Sequence, residues 1–262
     1  YTPFEWHKEL FSYAKEIGIT IFSSPFDETA VDLLDSLNVP AYKVASFEII
    51  DHPLIEYIAK KNKPIILSTG MASINEISDA IETIKKVNNN LDIMLLHCIS
   101  SYPTTAAESN LNNILTLKKE FNVEVGLSDH TTDNLAAIVA IGIGAVAIEK
   151  HFKLDDRDCG PDSSFSLNIQ ELSKFIIDCK EAWRSKGTFE FQRSKYEKKN
   201  TVFRRSLYFI NDLKKGSTIS EKDIKRIRPG YGLPPKFYKS IIGKKLSKDV
   251  ERGDPVIWDV LI

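Results

Sequence analysis

The chain has 262 residues, 42% of them apolar and 27% charged, with a formal net charge of −1. That is a globular composition, long enough for one large domain or one large and one small, and its near-neutral charge gives no reason to expect nucleic acid or an acidic membrane as a partner. No signal-peptide pattern or uncharged apolar run of about 18 residues is present, and three scattered cysteines (Cys98, Cys159, Cys179) suit a soluble protein of the reducing cytoplasm, not a disulfide framework.

In chain order, six short apolar or β-branched runs each stop in polar residues. Residues 19–22 run into Ser23-Ser24-Pro25-Phe26, 41–45 into Ser46-Phe47-Glu48, and 65–67 into Ser68-Thr69-Gly70. Residues 93–96 precede His97-Cys98, 123–127 precede Ser128-Asp129-His130, and 146–148 precede Glu149-Lys150-His151. Helical patterns follow them. Asp27 caps one carrying Ala30, Val31, Leu34 and Leu37, Pro53 opens a second, and Ser73-Ile74-Asn75-Glu76 is a capping box before a third. Further helices are expected at 111–121, 134–141 and 169–183, and Gly142 and Gly144 divide the nearly charge-free run 135–148 into a helix and a strand. These are βα units, whose polar strand ends share one rim of a parallel sheet, where such folds place ligands.

Six units fall short of the eight of a closed (β/α)8 barrel, and the first residue is Tyr1 instead of methionine. Either the sheet is open and doubly wound, or a piece preceding Tyr1 belongs to the domain. We expect the barrel to occupy residues 1–185, with a charged linker at 186–200. A small, mostly β domain follows at 201–262, with strand-like pieces at 206–210 and 255–261 and a Gly/Pro turn segment at 226–235 between them.

The rim carries the chemistry. Strand alternation puts Glu124, Ser128 and His130 on one face, and Glu149 with His151 on one face of the next strand. The two imidazoles come within reach of one divalent ion, or each simply bonds a neighbour at the rim. Lys43, inside the apolar strand Ala41-Tyr42-Lys43-Val44-Ala45, must meet an anion, form a Schiff base, or reach the rim. Ser24, Ser46, Ser68 and Ser128 at successive strand ends favour a phosphate or carboxylate; a structural ion pair is the alternative. Asp162, on the turn Cys159-Gly160-Pro161-Asp162, orders the histidines, handles a proton, or caps a turn. Asp155, Asp156 and Asp158 around Arg157 read as a solvated loop, His7 and His52 as surface or loop residues, and His97 as a residue that orders the site.

Pro25-Phe26-Asp27, Tyr42-Lys43-Val44-Ala45-Ser46, Leu67-Ser68-Thr69-Gly70-Met71, Gly126-Leu127-Ser128-Asp129-His130 and Ile148-Glu149-Lys150-His151-Phe152 together resemble the sialic acid synthases. Arg204-Arg205-Ser206, Arg228-Pro229-Gly230 and Arg252-Gly253-Asp254-Pro255 resemble their C-terminal antifreeze-like (SAF) domain. Thr2-Pro3-Phe4-Glu5-Trp6-His7 and Asp162-Ser163-Ser164-Phe165-Ser166-Leu167 are similar to the branch that uses 2,4-diacetamido-2,4,6-trideoxy-L-altrose, with the legionaminate- and N-acetylneuraminate-forming branches as alternatives.

The resemblance implies a TIM-type barrel lacking its first two βα units here, and a transferase that joins phosphoenolpyruvate to a 2,4-diacetamido-2,4,6-trideoxy hexose with release of phosphate. His130 and His151 would bind Mn²⁺, or Mg²⁺ or Co²⁺, with Glu149 and Asp162 in catalytic roles. Lys43, Ser24, Ser46, Ser68 and Ser128 would cradle phosphoenolpyruvate against Phe26, and Ser100 and Tyr102 would line the substrates, Ser100 where other members have Asn. The SAF domain would cap the partner's barrel in a domain-swapped homodimer, with Arg228 reaching the sugar's N-acyl group in trans. Two other readings compete: a metal-dependent aldolase, and a non-catalytic sugar-binding or inactive truncated protein.

Overall fold

The computed structural model describes residues 2–155, 157 and 160–262. Tyr1, Asp156, Asp158 and Cys159 lie outside the described residues, and with them part of the acidic loop and the first residue of the turn leading to Asp162. The chain forms two compact units, residues 1–187 and 188–262.

The first unit runs α1 (Phe4–Glu16), α2 (Glu28–Ser36), β1 (Tyr42–Val44), α3 (His52–Ala59), β2 (Ile65–Ser68), α4 (Ile74–Val87) and β3 (Ile93–Cys98). It continues with α5 (Asn113–Phe121), β4 (Glu124–Asp129), α6 (Leu135–Ile143), β5 (Ile148–Lys150) and α7 (Ile169–Ser185). The strands pair in parallel in the order β1-β2-β3-β4-β5. An order that never reverses, joined by right-handed crossovers, sets the intervening helices on one face. That is the winding of a barrel wall and excludes the doubly wound alternative, whose strand order reverses at a switch point.

Five strands pair where six were expected. Residues 19–22 form no ladder, and Ile19 and Phe22 stay 61% and 41% exposed. Side chains left this open to water supply little of the burial that would hold the run against β1. The helix α1, unforeseen, precedes them and buries His7 and Ala14.

Short caps fix where each helix leaves the rim. Asp27 accepts from the Ala30 N–H, Asp51 from the Leu54 N–H with Pro53 in the first turn, and Ser73 and Glu76 bond reciprocally. Gly144 ends α6 at φ 118, a left-handed conformation that suits glycine; Gly142 lies within α6. Beneath the helices, Tyr42, Val44, Ile65, Leu67, Leu95 and Val125 are buried to 1% exposure or less and form the centre of the core. Each such side chain contributes about 1.5–3 kcal/mol of burial free energy.

The second unit holds α8 (Lys195–Asn200), β6 (Ser206–Phe209), β7 (Ile224–Ile227) and α9 (Tyr238–Ile241). β6 and β7 pair antiparallel over a core that includes Leu207, Phe209, Ile224 and Val256. Residues 255–261 do not form the expected strand. They make single bridges, Tyr208 to Pro255 and Leu246 to Leu261, around a 3-10 turn at Trp258–Val260. The true partner of β6 overlaps the stretch taken for a turn, because Arg226-Ile227-Arg228 hides an exposed strand end next to Pro229.

Candidate active site

The sheet has two unlike faces, and strand alternation sorts the residues between them. Tyr42, Val44, Leu67, Leu95 and Leu127 point to the helices. Their neighbours point the other way, and the register aligns Ser68 with Leu96, Cys98 with Ser128, and Ser128 with Glu149. On this second face and its rim lie Lys43, Ser68, Cys98, Ser128, His130, Glu149 and His151. Gly126 lets the strands approach here: a Cβ on it would meet the Ala147 carbonyl at 2.6 Å.

The rings of His130 and His151 lie 5.3 Å apart, edge to face. His130 Nδ1 is 2.9 Å from the Ile99 carbonyl oxygen, which can only accept, so Nδ1 carries the proton and Nε2 keeps its lone pair. His151 Nδ1 is 3.5 Å from Asp162 Oδ2, which favours the same tautomer. Asp162 is brought back by the bridge between Phe152 and Leu167 and by Leu167 N–H donating to the His151 carbonyl. Phe165, 3% exposed, packs its ring 5.0 Å from His151 and 6.0 Å from His130, and the Tyr102 ring lies 4.3 Å from His130.

The titration tendencies of the pair diverge. Burial and the neighbouring His130 hold His151 below the ordinary histidine range, against the pull of Asp162 and Glu149. Burial also opposes charge on His130, but its contacts with Cys98 and the Ile99 carbonyl, reinforced by the charges of Cys98 and Glu149, raise it above that range. Two imidazoles offering Nε2 make a suitable donor pair for a borderline divalent cation. Among the described residues no three His, Cys, Asp or Glu side chains are grouped to hold a metal ion.

Beside the histidines lies a floor suited to an anion. Lys43, 7% exposed, reaches Glu149 Oε2 at 3.4 Å, and Ser128 Oγ donates to Glu149 Oε1 at 2.5 Å. The ion pair set against an anion ligand for Lys43 is therefore present. Ser46 Oγ accepts from the Gly70 N–H at 3.1 Å. A Cβ on Gly70 would come 2.2 Å from Ser100 Oγ and 2.8 Å from Ser46 Oγ, so three strand-end loops converge here only because residue 70 is glycine. Met71 follows at φ 65, a strained conformation for a side chain of its size. Ser68 Oγ and Ser100 Oγ are buried without a hydrogen-bond partner. Such hydroxyls cost free energy unless a ligand or water satisfies them.

Not every expected residue joins this group. Ser24 and Phe26 line a cavity of about 560 Å³ with Phe4, His7 and Asp27, and no described hydrogen bond or ring contact ties them to Lys43 or the histidines. Arg228 lies exposed beyond β7 in the second unit. His7 is not a surface residue: 8% exposed in α1, it donates from Nδ1 to the Pro3 carbonyl at 3.0 Å. His52 is half-buried at the start of α3, with Nδ1 2.9 Å from Thr83 Oγ1. His97 faces the helices and donates from Nε2 to the Ser109 carbonyl at 2.8 Å.

Sequence reasoning gave no role to Cys98, Phe165 or Glu48. The Cys98 sulfur is 4.0 Å from His130 Nδ1. Burial would push its thiol up, yet the contacts with His130, Ser46 and Ser128 bring it below the usual thiol range. Glu48 Oε2 is buried and unpartnered, and desolvation raises its carboxyl. Period-two alternation from Ser128 register could have found Cys98, and the lone aromatic in Ser163-Ser164-Phe165-Ser166 could have flagged Phe165.

Two family models match the chain, the NeuB family over residues 1–191 and the SAF domain over residues 204–262. The chain belongs to the NeuB family. Among NeuB-family relatives, the pseudaminic acid synthase of Helicobacter pylori is 45% identical over 259 residues, 98% of this chain and 76% of that protein. That of Campylobacter jejuni serotype O:23/36 is 44% identical over 253 residues, 97% of this chain and 74% of that protein. Among solved structures, the N-acetylneuraminic acid (sialic acid) synthetase of Leptospira borgpetersenii in complex with citrate superposes with a TM-score of 0.72 at 30% identity, covering 76% of this chain and 69% of that one.

Proposed function

We propose that this chain acts as a pseudaminic acid synthase, condensing phosphoenolpyruvate, 2,4-diacetamido-2,4,6-trideoxy-L-altrose and water into a nonulosonic acid and phosphate. The observation that carries the chemistry is the pairing of His130 with His151, both offering Nε2, beside an anion-suited floor that holds two orphaned hydroxyls. The near-full-length identity to pseudaminic acid synthases supports the choice of sugar.

His130 and His151 would hold a divalent cation, Mn²⁺ by preference, which would supply Lewis acidity toward the sugar's aldehyde. Lys43, Ser46, Ser68 and Ser128 hold the phosphate and carboxylate of phosphoenolpyruvate, the lysine exchanging Glu149 for the incoming anion. Ser24 and Phe26 extend this cradle, and Ser100 and Tyr102 line the approach of the sugar. Carbon 3 of phosphoenolpyruvate bonds to the aldehyde carbon, water adds at carbon 2, and the carbon–oxygen bond to phosphate breaks. Glu149, held by Ser128, takes one proton of that water and passes it to the aldehyde oxygen, which becomes a hydroxyl. The second proton leaves on phosphate as the ketone forms, and Asp162 keeps His151 oriented. Arg228 acts on the sugar's N-acyl group in the partner's site of a domain-swapped homodimer. The scattered cysteines support a cytoplasmic enzyme, and no helix among the described residues is long and apolar enough to cross a membrane.

The test is to incubate the protein with Mn²⁺, phosphoenolpyruvate and a panel of N-acyl hexoses, then follow phosphate release and product mass. Phosphate release with the mass of a diacetamido nonulosonate, from the L-altrose substrate alone, is expected. Product formed from pyruvate in place of phosphoenolpyruvate, without phosphate release, supports the aldolase, and binding without turnover the sugar-binding module.

A further inference from the structure

Behind the paired histidines lies a second charged cluster that the proposed chemistry does not use. Asp129 ends β4 and Lys150 ends β5, and the two are register partners. Each immediately precedes one of the histidines, yet alternation turns both away from the rim pocket toward the helices. Lys150 Nζ lies 2.8 Å from Asp129 Oδ2, with the side chains only 3% and 1% exposed. The same ammonium donates to the carbonyls of Thr131 and, at 3.3 Å, Asp133, and sits 5.8 Å from the centre of the Phe175 ring. Asp129 Oδ1 accepts from the N–H and hydroxyl of Thr131 at 2.9 and 2.8 Å. The cage is thus closed on itself, with both carboxylate oxygens engaged and the ammonium spread over four oxygens, the Thr131 hydroxyl among them at 3.4 Å.

Burying such a pair gains little over apolar residues of the same volume, so stability alone does not account for it. What it does is geometric. It clamps the ends of adjacent strands, and the turn after His130, from the side opposite the histidines. A slip of either strand end moves one imidazole relative to the other. We propose that Asp129 and Lys150 are positioning residues that set the spacing of His130 and His151 for one shared divalent cation. This rests on the metal reading above. Lys150 touches neither substrate nor ion in this role.

The test uses the full chain and titrates Mn²⁺ calorimetrically. The double variant Asp129→Asn, Lys150→Met removes both charges together, so no uncompensated charge is left buried. Its unfolding midpoint should stay within a few degrees of the parent's. Its Mn²⁺ affinity should fall about 10- to 100-fold, the range seen when supports behind metal ligands are removed. The visible absorption of bound Co²⁺ should also change in band position, which a merely structural role would not move. Should the double variant fail to fold, Lys150→Arg keeps the charge pair, but its forked guanidinium cannot fill the same cage without displacing β5. It should lose metal affinity in the same direction while remaining folded. A folded double or Arg variant with the parent's Mn²⁺ affinity and Co²⁺ spectrum overturns the positioning role and leaves the metal reading intact. A parent that binds no Mn²⁺ overturns the metal reading and this inference with it.

Discussion

Lys43→Met separates what the buried lysine does for the fold from what it does for the ligand. Its ammonium is 3.4 Å from Glu149, and the two side chains are 8% and 40% exposed. With Glu149 so open to water, losing the pair costs about 0–1 kcal/mol. Methionine retains most of the stem's volume, which keeps the packing penalty under about 1.5 kcal/mol. A charge-assisted bond to a bound phosphate or carboxylate is worth about 1.5–3 kcal/mol, or about 10- to 150-fold in affinity at 1.36 kcal/mol per tenfold. Calorimetric titration with phosphoenolpyruvate should show that loss while thermal unfolding shifts by only a few degrees. Glu149→Gln should do the opposite for binding, tightening phosphoenolpyruvate by removing its competitor for the ammonium, while turnover drops. Undiminished phosphoenolpyruvate affinity in Lys43→Met would refute the reasoning and return Lys43 to a structural ion pair.

Gly70→Ala should raise the KM for phosphoenolpyruvate, since its methyl would sit 2.2 Å from Ser100 Oγ and 3.1 Å from Ser46 Cβ, and overpacking of this kind costs about 1–3 kcal/mol. Adding Ser100→Gly should recover part of the loss, and a KM for the double variant no better than for Gly70→Ala would contradict the crowding account. Burial holds His97 below the ordinary histidine range, with the Ser109 carbonyl partly opposing. Its neutral ring therefore favours the fold fully above about pH 6.5, and as pH falls below that the unfolded chain takes up the proton first, so stability drops. His97→Gln should flatten the fall in unfolding midpoint between pH 7 and pH 5, and an unchanged slope would count against it. Arg228→Ala should raise the KM for the sugar more than that for phosphoenolpyruvate; equal changes would remove Arg228 from the sugar's site.

Much of the sheet was legible because alternation is a local property of a strand. Placing Ser128 with His130, and Glu149 with His151, on one face followed from counting by two, and Lys43 stood out as a charge within an apolar run. The singly wound order was legible only through the family resemblance, since pairing depends on contacts far apart in sequence. For the same reason residues 19–22, apolar enough for a strand, could not be seen to lack a ladder. Lys150 shows the limit within the site itself. In Glu149-Lys150-His151 all three residues look like rim side chains, yet the middle one faces Phe175 and a buried carboxylate. Cys98 and Phe165 escaped notice because a cysteine and a phenylalanine are ordinary core residues until their neighbours are known.

The central claim is that two imidazoles share one cation, and Mn²⁺ stoichiometry after gel filtration tests it most directly. The parent should retain one equivalent per chain, and His130→Ala and His151→Ala should each retain essentially none while keeping the parent's circular dichroism. Either folded variant holding a full equivalent would contradict the account.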